Sequence, residues 1–107
     1  MNQEIEEPIL IGNLEDIDKN SVENFEHEEL DYAIYHLDSG FFATQGLCTC
    51  EENALLSEGT IENEEIECSN CRETFSIVSG DSISNPEAES IKVYDIVIEK
   101  NKLFLNL

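Results

Sequence analysis

The apolar positions of this chain fall in short runs separated by turn signals, the spacing of an all-β protein. Pro8-Ile9-Leu10-Ile11-Gly12 is an apolar run closed by glycine. Asp31 to Leu37 reads D-Y-A-I-Y-H-L, dense in the aromatic and β-branched residues that suit a pleated strand. Asp38-Ser39-Gly40 predicts a turn, Phe41-Phe42-Ala43-Thr44 the returning strand, and Gln45-Gly46 a second turn. Further strands are expected at Glu65-Ile66-Glu67, at Thr74 to Ile77, from Ile91 to Ile98 and at Lys102 to Leu105, the last two joined by a turn at Asn101. Ile91 and Val93, then Ile96 and Ile98, alternate with a change of phase near Tyr94-Asp95. That change predicts a bulge or a strand buried on both faces. Leu14 to Ile17 predicts one helical turn. The acid-rich stretch from Glu23 to Asp31 reads as a solvated loop or an edge hairpin, and Asn2 to Glu7 as a frayed end. This pattern predicts a small antiparallel sandwich or barrel.

A length of 107 residues implies one domain, 1–107, with a modest core. Small domains often add a metal or disulfides to the hydrophobic effect. The chain carries 25 acidic against 5 basic side chains, a formal net charge of -20. Nucleic acid is a poor partner for such a surface, because phosphate binding needs a basic footprint. An anionic membrane is a poor partner for the same reason. The charge keeps a small protein soluble and monomeric, and it can also steer partners with basic docking faces. The segment from Met1 to Pro8 has neither a basic start nor an apolar run, and no stretch approaches a membrane span, so a cytoplasmic protein is expected.

In a reducing compartment, clustered cysteines favour metal or catalysis over disulfides. All four lie in two pairs, Cys48-Thr49-Cys50 and Cys68-Ser69-Asn70-Cys71, with 17 residues between Cys50 and Cys68. Soft thiolates at paired spacing select zinc, copper(I) or iron–sulfur. Zinc pairs usually have roughly two to four intervening residues, and the first pair here has only Thr49. Small polar residues near the ligands, Thr49, Ser69 and Thr74, could donate hydrogen bonds to sulfur. No Ser–His–Asp spacing and no Gly-rich phosphate loop is present, so an enzyme is not expected.

The frame C-T-C, 17 residues, C-S-N-C resembles the C-x-H…C-x-x-H pattern of the Rieske family, with cysteine at both histidine positions. The resemblance spans residues 31–107. Gly40 to Leu47 is similar to the hairpin entering the first cluster loop, and Ala54-Leu55-Leu56-Ser57-Glu58-Gly59 to that loop's continuation. Ile66-Glu67-Cys68 resembles the strand entering the second loop, and Phe75 the apolar residue that follows it. Ser79-Gly80-Asp81, Asn85-Pro86-Glu87-Ala88 and Ile91 to Tyr94 are similar to later family segments. The family usually has Gly straight after its second His, where this chain has Arg72. The two histidines, His27 and His36, lie outside both loops, and His36 reads as structural.

The resemblance implies a Rieske-like antiparallel β-sandwich with a small cluster-binding subdomain of two loops, about 46–60 and 66–76. It implies a [2Fe–2S] cluster in which Cys48 and Cys68 hold the inner iron, while Cys50 and Cys71 replace the imidazoles on the outer iron. It further implies a ferredoxin that carries single electrons from a reductase to a terminal oxygenase. With four thiolates the oxidised site is a dianion, where the His-ligated site is neutral, so a lower potential is expected. Glu51 and Glu52 would give the cluster tip an acidic rim, and Arg72 is either a plain surface residue or a charge partner of the cluster. The alternatives are a structural zinc (Zn2+) module on the same scaffold and a metal-free or disulfide-bonded interaction domain.

Overall fold

The computed structural model describes residues 8–50, 54–85 and 87–107. Asn2 to Glu7, Glu51, Glu52 and Pro86, to which the sequence assigned a frayed end, an acidic rim and part of a loop, lie outside the described residues. The described strands are β1 (Ile9–Asn13), β2 (Ser21–His27), β3 (Leu30–Leu37), β4 (Gly40–Gln45), β5 (Thr60–Glu62), β6 (Glu65–Glu67), β7 (Thr74–Ser76), β8 (Val93–Glu99) and β9 (Lys102–Asn106). They form a six-stranded sheet in the order β1-β9-β8-β4-β3-β2 and a three-stranded sheet in the order β5-β6-β7. Every pairing is antiparallel. The all-β expectation holds. No helix among the described residues is long and apolar enough to cross a membrane.

β3 is the wall on which the molecule is built. Its residues Ala33, Tyr35 and Leu37 belong to one buried cluster, with Cys48, Leu56, Ile66, Cys68, Phe75, Ile77 and Ile91. Tyr32 and Ile34, on the opposite face, belong to a second cluster with Ile17, Ala43, Leu103 and Leu105. A strand buried on both faces needs the near-continuous apolar sequence that Tyr32 to Leu37 supplies. Two polar groups in this wall satisfy each other: the Tyr35 and Thr44 hydroxyls are 2.9 Å apart, and the Thr44 hydroxyl donates to the Gln45 carbonyl at 2.8 Å. Burial raises the pKa of Tyr35, against the pull of the Thr44 hydrogen bond.

Of the two readings of the acidic stretch from Glu23 to Asp31, the edge hairpin holds: β2 pairs with β3 from Ser21–His36 to His27–Leu30. Val22 and Phe25 pack on the two cores, while Glu23 and Glu26 stay exposed, so the charges guard an open edge. β8 has neither a bulge nor two buried faces. Its register with β9 is unbroken from Asp95–Asn106 to Glu99–Lys102, Tyr94 and Ile96 face the core, and Ile98 runs past it into solvent. Ile91 lies before the strand and plugs the first core instead. The bulge is in β1, between Leu10 and Gly12. The helical turn is a short 3-10 turn, Leu14–Asp16, whose start is held by the Asn13 N–H donating to the Asp16 carboxylate at 2.9 Å. His36 is structural as expected: its Nδ1 lies 2.8 Å from the Ile17 carbonyl oxygen and its ring stacks on Phe41.

Candidate metal centre

The two cysteine pairs sit in two loops, 46–59 between β4 and β5, and 68–73 between β6 and β7. Glycine lets these loops approach the scaffold. A Cβ on Gly46 would lie 2.6 Å from the Asp31 backbone carbon, where the Gly46 N–H donates to the Asp31 carbonyl at 2.8 Å. A Cβ on Gly59 would collide with the carbonyl oxygen of Glu67, the residue before Cys68, so the two loops meet backbone to backbone. Gln45 staples the first loop from outside. Its side-chain amide donates to the Leu47 carbonyl at 2.7 Å, and its side-chain oxygen accepts the Lys92 N–H at 2.8 Å. Within the loops, the Cys48 N–H donates to the Ala54 carbonyl at 2.8 Å, and the Cys68 N–H to the Glu73 carbonyl at 2.9 Å.

These constraints bring all four sulfurs together. The Sγ atoms of Cys48, Cys50, Cys68 and Cys71 lie within 4.8 Å of one another, and Cys48 and Cys71 are 3.6 Å apart across the loops. All four are free of disulfides. Cys48 and Cys68 are buried in the first core, whereas Cys50 and Cys71 are partly exposed.

Backbone amides two residues on turn back toward sulfur. Cys48 receives the Cys50 N–H, Cys71 the Glu73 N–H, and Cys68 the Asn70 N–H at 3.4 Å. Burial pushes the Cys48 thiol well up and raises that of Cys71, and in each case the amide opposes the shift. Such donors favour negative charge on sulfur, the form in which a thiol binds metal. The sequence pointed to Thr49, Ser69 and Thr74 as donors. A side-chain donor in the structure is Asn70, whose Nδ2 lies 3.9 Å from Cys50 Sγ. Its signal in the sequence was its place, two residues after Cys68, where a tight turn returns to the thiolate.

Arg72 is a surface residue. Its guanidinium is largely exposed and lies 3.9 Å from the Glu67 carboxylate. Its backbone explains the glycine usual at this place, for Arg72 holds φ at +65°, where a side chain is strained. His27 is remote, 3.6 Å from the Glu28 carboxylate in the β2–β3 hairpin.

Four clustered thiolates are the donor set that holds iron–sulfur centres, so the chain fits the [2Fe–2S] group of the family it resembles. Residues 7–95 match the Rieske [2Fe-2S] domain, which extends the likeness toward the N-terminus beyond residue 31. The ferredoxin component of a naphthalene 1,2-dioxygenase system from Pseudomonas putida is 31% identical over 94 residues, covering 88% of this chain and 89% of that protein. The biphenyl dioxygenase ferredoxin subunit of Pseudomonas sp. (strain KKS102) is 38% identical over 73 residues, covering 68% and 67%. The fold matches that of the ferredoxin of carbazole 1,9a-dioxygenase from Nocardioides aromaticivorans IC177, with a TM-score of 0.84, 20% identity, and coverage of 92% and 96%. The chain belongs to the Rieske [2Fe-2S] domain family, and its relatives are the electron-carrying ferredoxin components of dioxygenase systems.

Proposed function

We propose that Cys48, Cys50, Cys68 and Cys71 together hold the [2Fe–2S] cluster, Cys48 and Cys68 on the inner iron and Cys50 and Cys71 on the outer one. The observation that carries this is the division of one compact sulfur set into a buried pair and a partly exposed pair. When bound, the cluster takes up and gives back one electron at a time. The chain's part is to hold the thiolates, aim amide N–H groups at them, and keep the inner pair dry. The outer pair stands at the surface, where a docked protein can approach.

The partners are a reductase that donates electrons and a terminal oxygenase that accepts them. Ferredoxin components of dioxygenase systems are the curated relatives, and a solved complex of a reduced oxygenase with an oxidised ferredoxin in carbazole 1,9a-dioxygenase has this fold in one of its chains. A net charge of -20 suits basic docking faces on both, and association slows as salt screens it. The same charge supports a monomer in the cytoplasm with no nucleic-acid or membrane partner.

Four thiolates set the chemistry apart. Reduction takes a dianionic site to a trianion, where two imidazoles would have made it neutral to monoanionic. The potential should lie near the plant-type value of about -400 mV rather than the Rieske range of about -150 to +300 mV. It should also be flat with pH around neutrality, because no ligand imidazole titrates.

A second reading, one tetrahedral zinc, draws on the compactness of the sulfur set. With Zn–S near 2.3 Å, sulfurs around one ion lie about 3.8 Å apart, and the Cys48–Cys71 separation is 3.6 Å. Anaerobic preparation with iron, zinc and acid-labile sulfide measured on one sample decides between them. Two irons and two sulfides per chain support the ferredoxin. One zinc without sulfide, from iron-replete cells, overturns it.

A further inference from the structure

The side-chain amide of Asn70 reaches from the second cysteine loop to a sulfur of the first. Its backbone N–H lies 3.4 Å from Cys68 Sγ in its own loop, and its side-chain Nδ2 lies 3.9 Å from Cys50 Sγ in the other. The second distance is the outer range for a sulfur acceptor, whose radius exceeds that of oxygen. The two contacts span the site, since Cys68 belongs to the buried pair and Cys50 to the partly exposed pair. The backbone contact fixes where the residue sits, so its amide group is delivered over Cys50 without help from the core.

We infer that Asn70 is a positioning residue that clasps the two cysteine loops together through sulfur, slowing loss of the bound metal and making the centre easier to reduce. Two physical effects act together. A neutral N–H dipole aimed at a thiolate stabilises added negative charge, which favours the reduced state. A contact between loops also opposes their separation, which must occur before both outer thiolates let go. Asn70 is exposed, so replacing it leaves no cavity and the fold should survive. Neither effect depends on the Arg72 guanidinium, which is paired with Glu67.

This inference rests on the reading of the four cysteines as metal ligands, and the test separates the two. Wild-type protein, Asn70→Ala and Asn70→Asp are prepared as full chains, and their metal and sulfide contents are measured. Release of metal to excess chelator is then timed for each, and the potential is measured wherever two irons are present. Asn70→Ala should release its metal about tenfold faster, within the range for lost outer partners of metal ligands. It should also lower the reduction equilibrium about threefold, or about 30 mV at 59 mV per tenfold for one electron. Asn70→Asp, with an acceptor and a negative charge where the donor was, should move both quantities further in the same direction. Equal release rates and equal potentials in all three proteins overturn the clasp. Zinc in the wild type would overturn the ferredoxin reading, while the release rates alone would still decide for or against the clasp.

Discussion

The two cores on either side of β3 are of comparable depth but different composition. The core of Tyr32, Ile34, Ala43, Leu103 and Leu105 is made of hydrocarbon and aromatic side chains, and the strands that enclose it run five to eight residues. The core of Tyr35, Leu56, Ile66 and Phe75 includes the thiols of Cys48 and Cys68, and three of its strands, β5, β6 and β7, are three residues each. The first half can close on the hydrophobic effect alone. The second half has little ladder and keeps two reactive sulfurs in its interior, so with the cluster held as proposed part of its stability would come from what those sulfurs bind. Order in one half is a property of the chain, and order in the other is a property of the chain with its ligand.

Stripping the metal breaks the comparison most sharply. Hydrogen exchange at Ile66 and Phe75 should accelerate on the order of a hundredfold or more, while Ile34 and Leu105 keep most of their protection. Uniform acceleration in both halves would mean that the cores unfold as one.

Cavities come next. Ile34→Ala and Ile66→Ala each remove the same fully buried side chain, one from each core. Both should cost about 2–5 kcal/mol in the metal-loaded protein. Only Ile66→Ala should also lower metal content at equal expression, because only that cavity adjoins the cysteine loops. Equal metal content in the two variants would remove the distinction.

The metal-free protein should lose stability as pH rises, with the buried Cys48 thiol of the cysteine half contributing first. Burial raises the Cys48 thiol above its ordinary value of 9.0. Above that pH the unfolded chain has released a proton that the fold retains, so stability is fully present below about pH 9 and falls as pH rises, by up to about 1.4 kcal/mol per pH unit. Metal binding has the opposite sign, because protons compete for the thiolates as pH falls. Urea unfolding of metal-free protein at pH 8 and pH 10 checks the slope, and a flat profile would contradict it.

The smallest expected effect is at Arg72. Arg72→Gly removes a side chain from a left-handed backbone and should stabilise the second loop by about 1 kcal/mol or less. The potential should barely move, since the guanidinium faces Glu67. A large change in potential would restore Arg72 as a charge partner of the centre.

The parts of this molecule that were legible in the sequence are those whose cause is local. The run from Asp31 to Leu37 announces a strand, though not that both its faces are buried, and the cysteine frame announces the site. What stayed hidden depends on partners distant along the chain. β2 is readable only as a loop or an edge hairpin among Glu23, Glu26 and Glu28, because one apolar residue toward each core, Val22 and Phe25, suffices to seat it. β5, Thr60–Glu62, was not foreseen, since its single apolar residue, Ile61, becomes a strand residue only against Ile66. The phase of β8 misled because Ile91 and Ile98 are apolar for different reasons, one plugging a core and one overshooting it. Asn70 looked like any loop asparagine until Cys50 was placed beside it.

On the proposed ligation, the burial of Cys48 and Cys68 against Leu56, Ile66 and Phe75 would make one side of the redox centre an insulator. With the cluster held as proposed, the carrier would have a single port, at Cys50 and Cys71, rather than an inlet and an outlet. A donor and an acceptor would then compete for the same small face and take turns, so a partner that lingered after delivery would block the next loading. Turnover is then set by how readily each partner leaves, and a surface that gripped either one too tightly would make the shuttle slower.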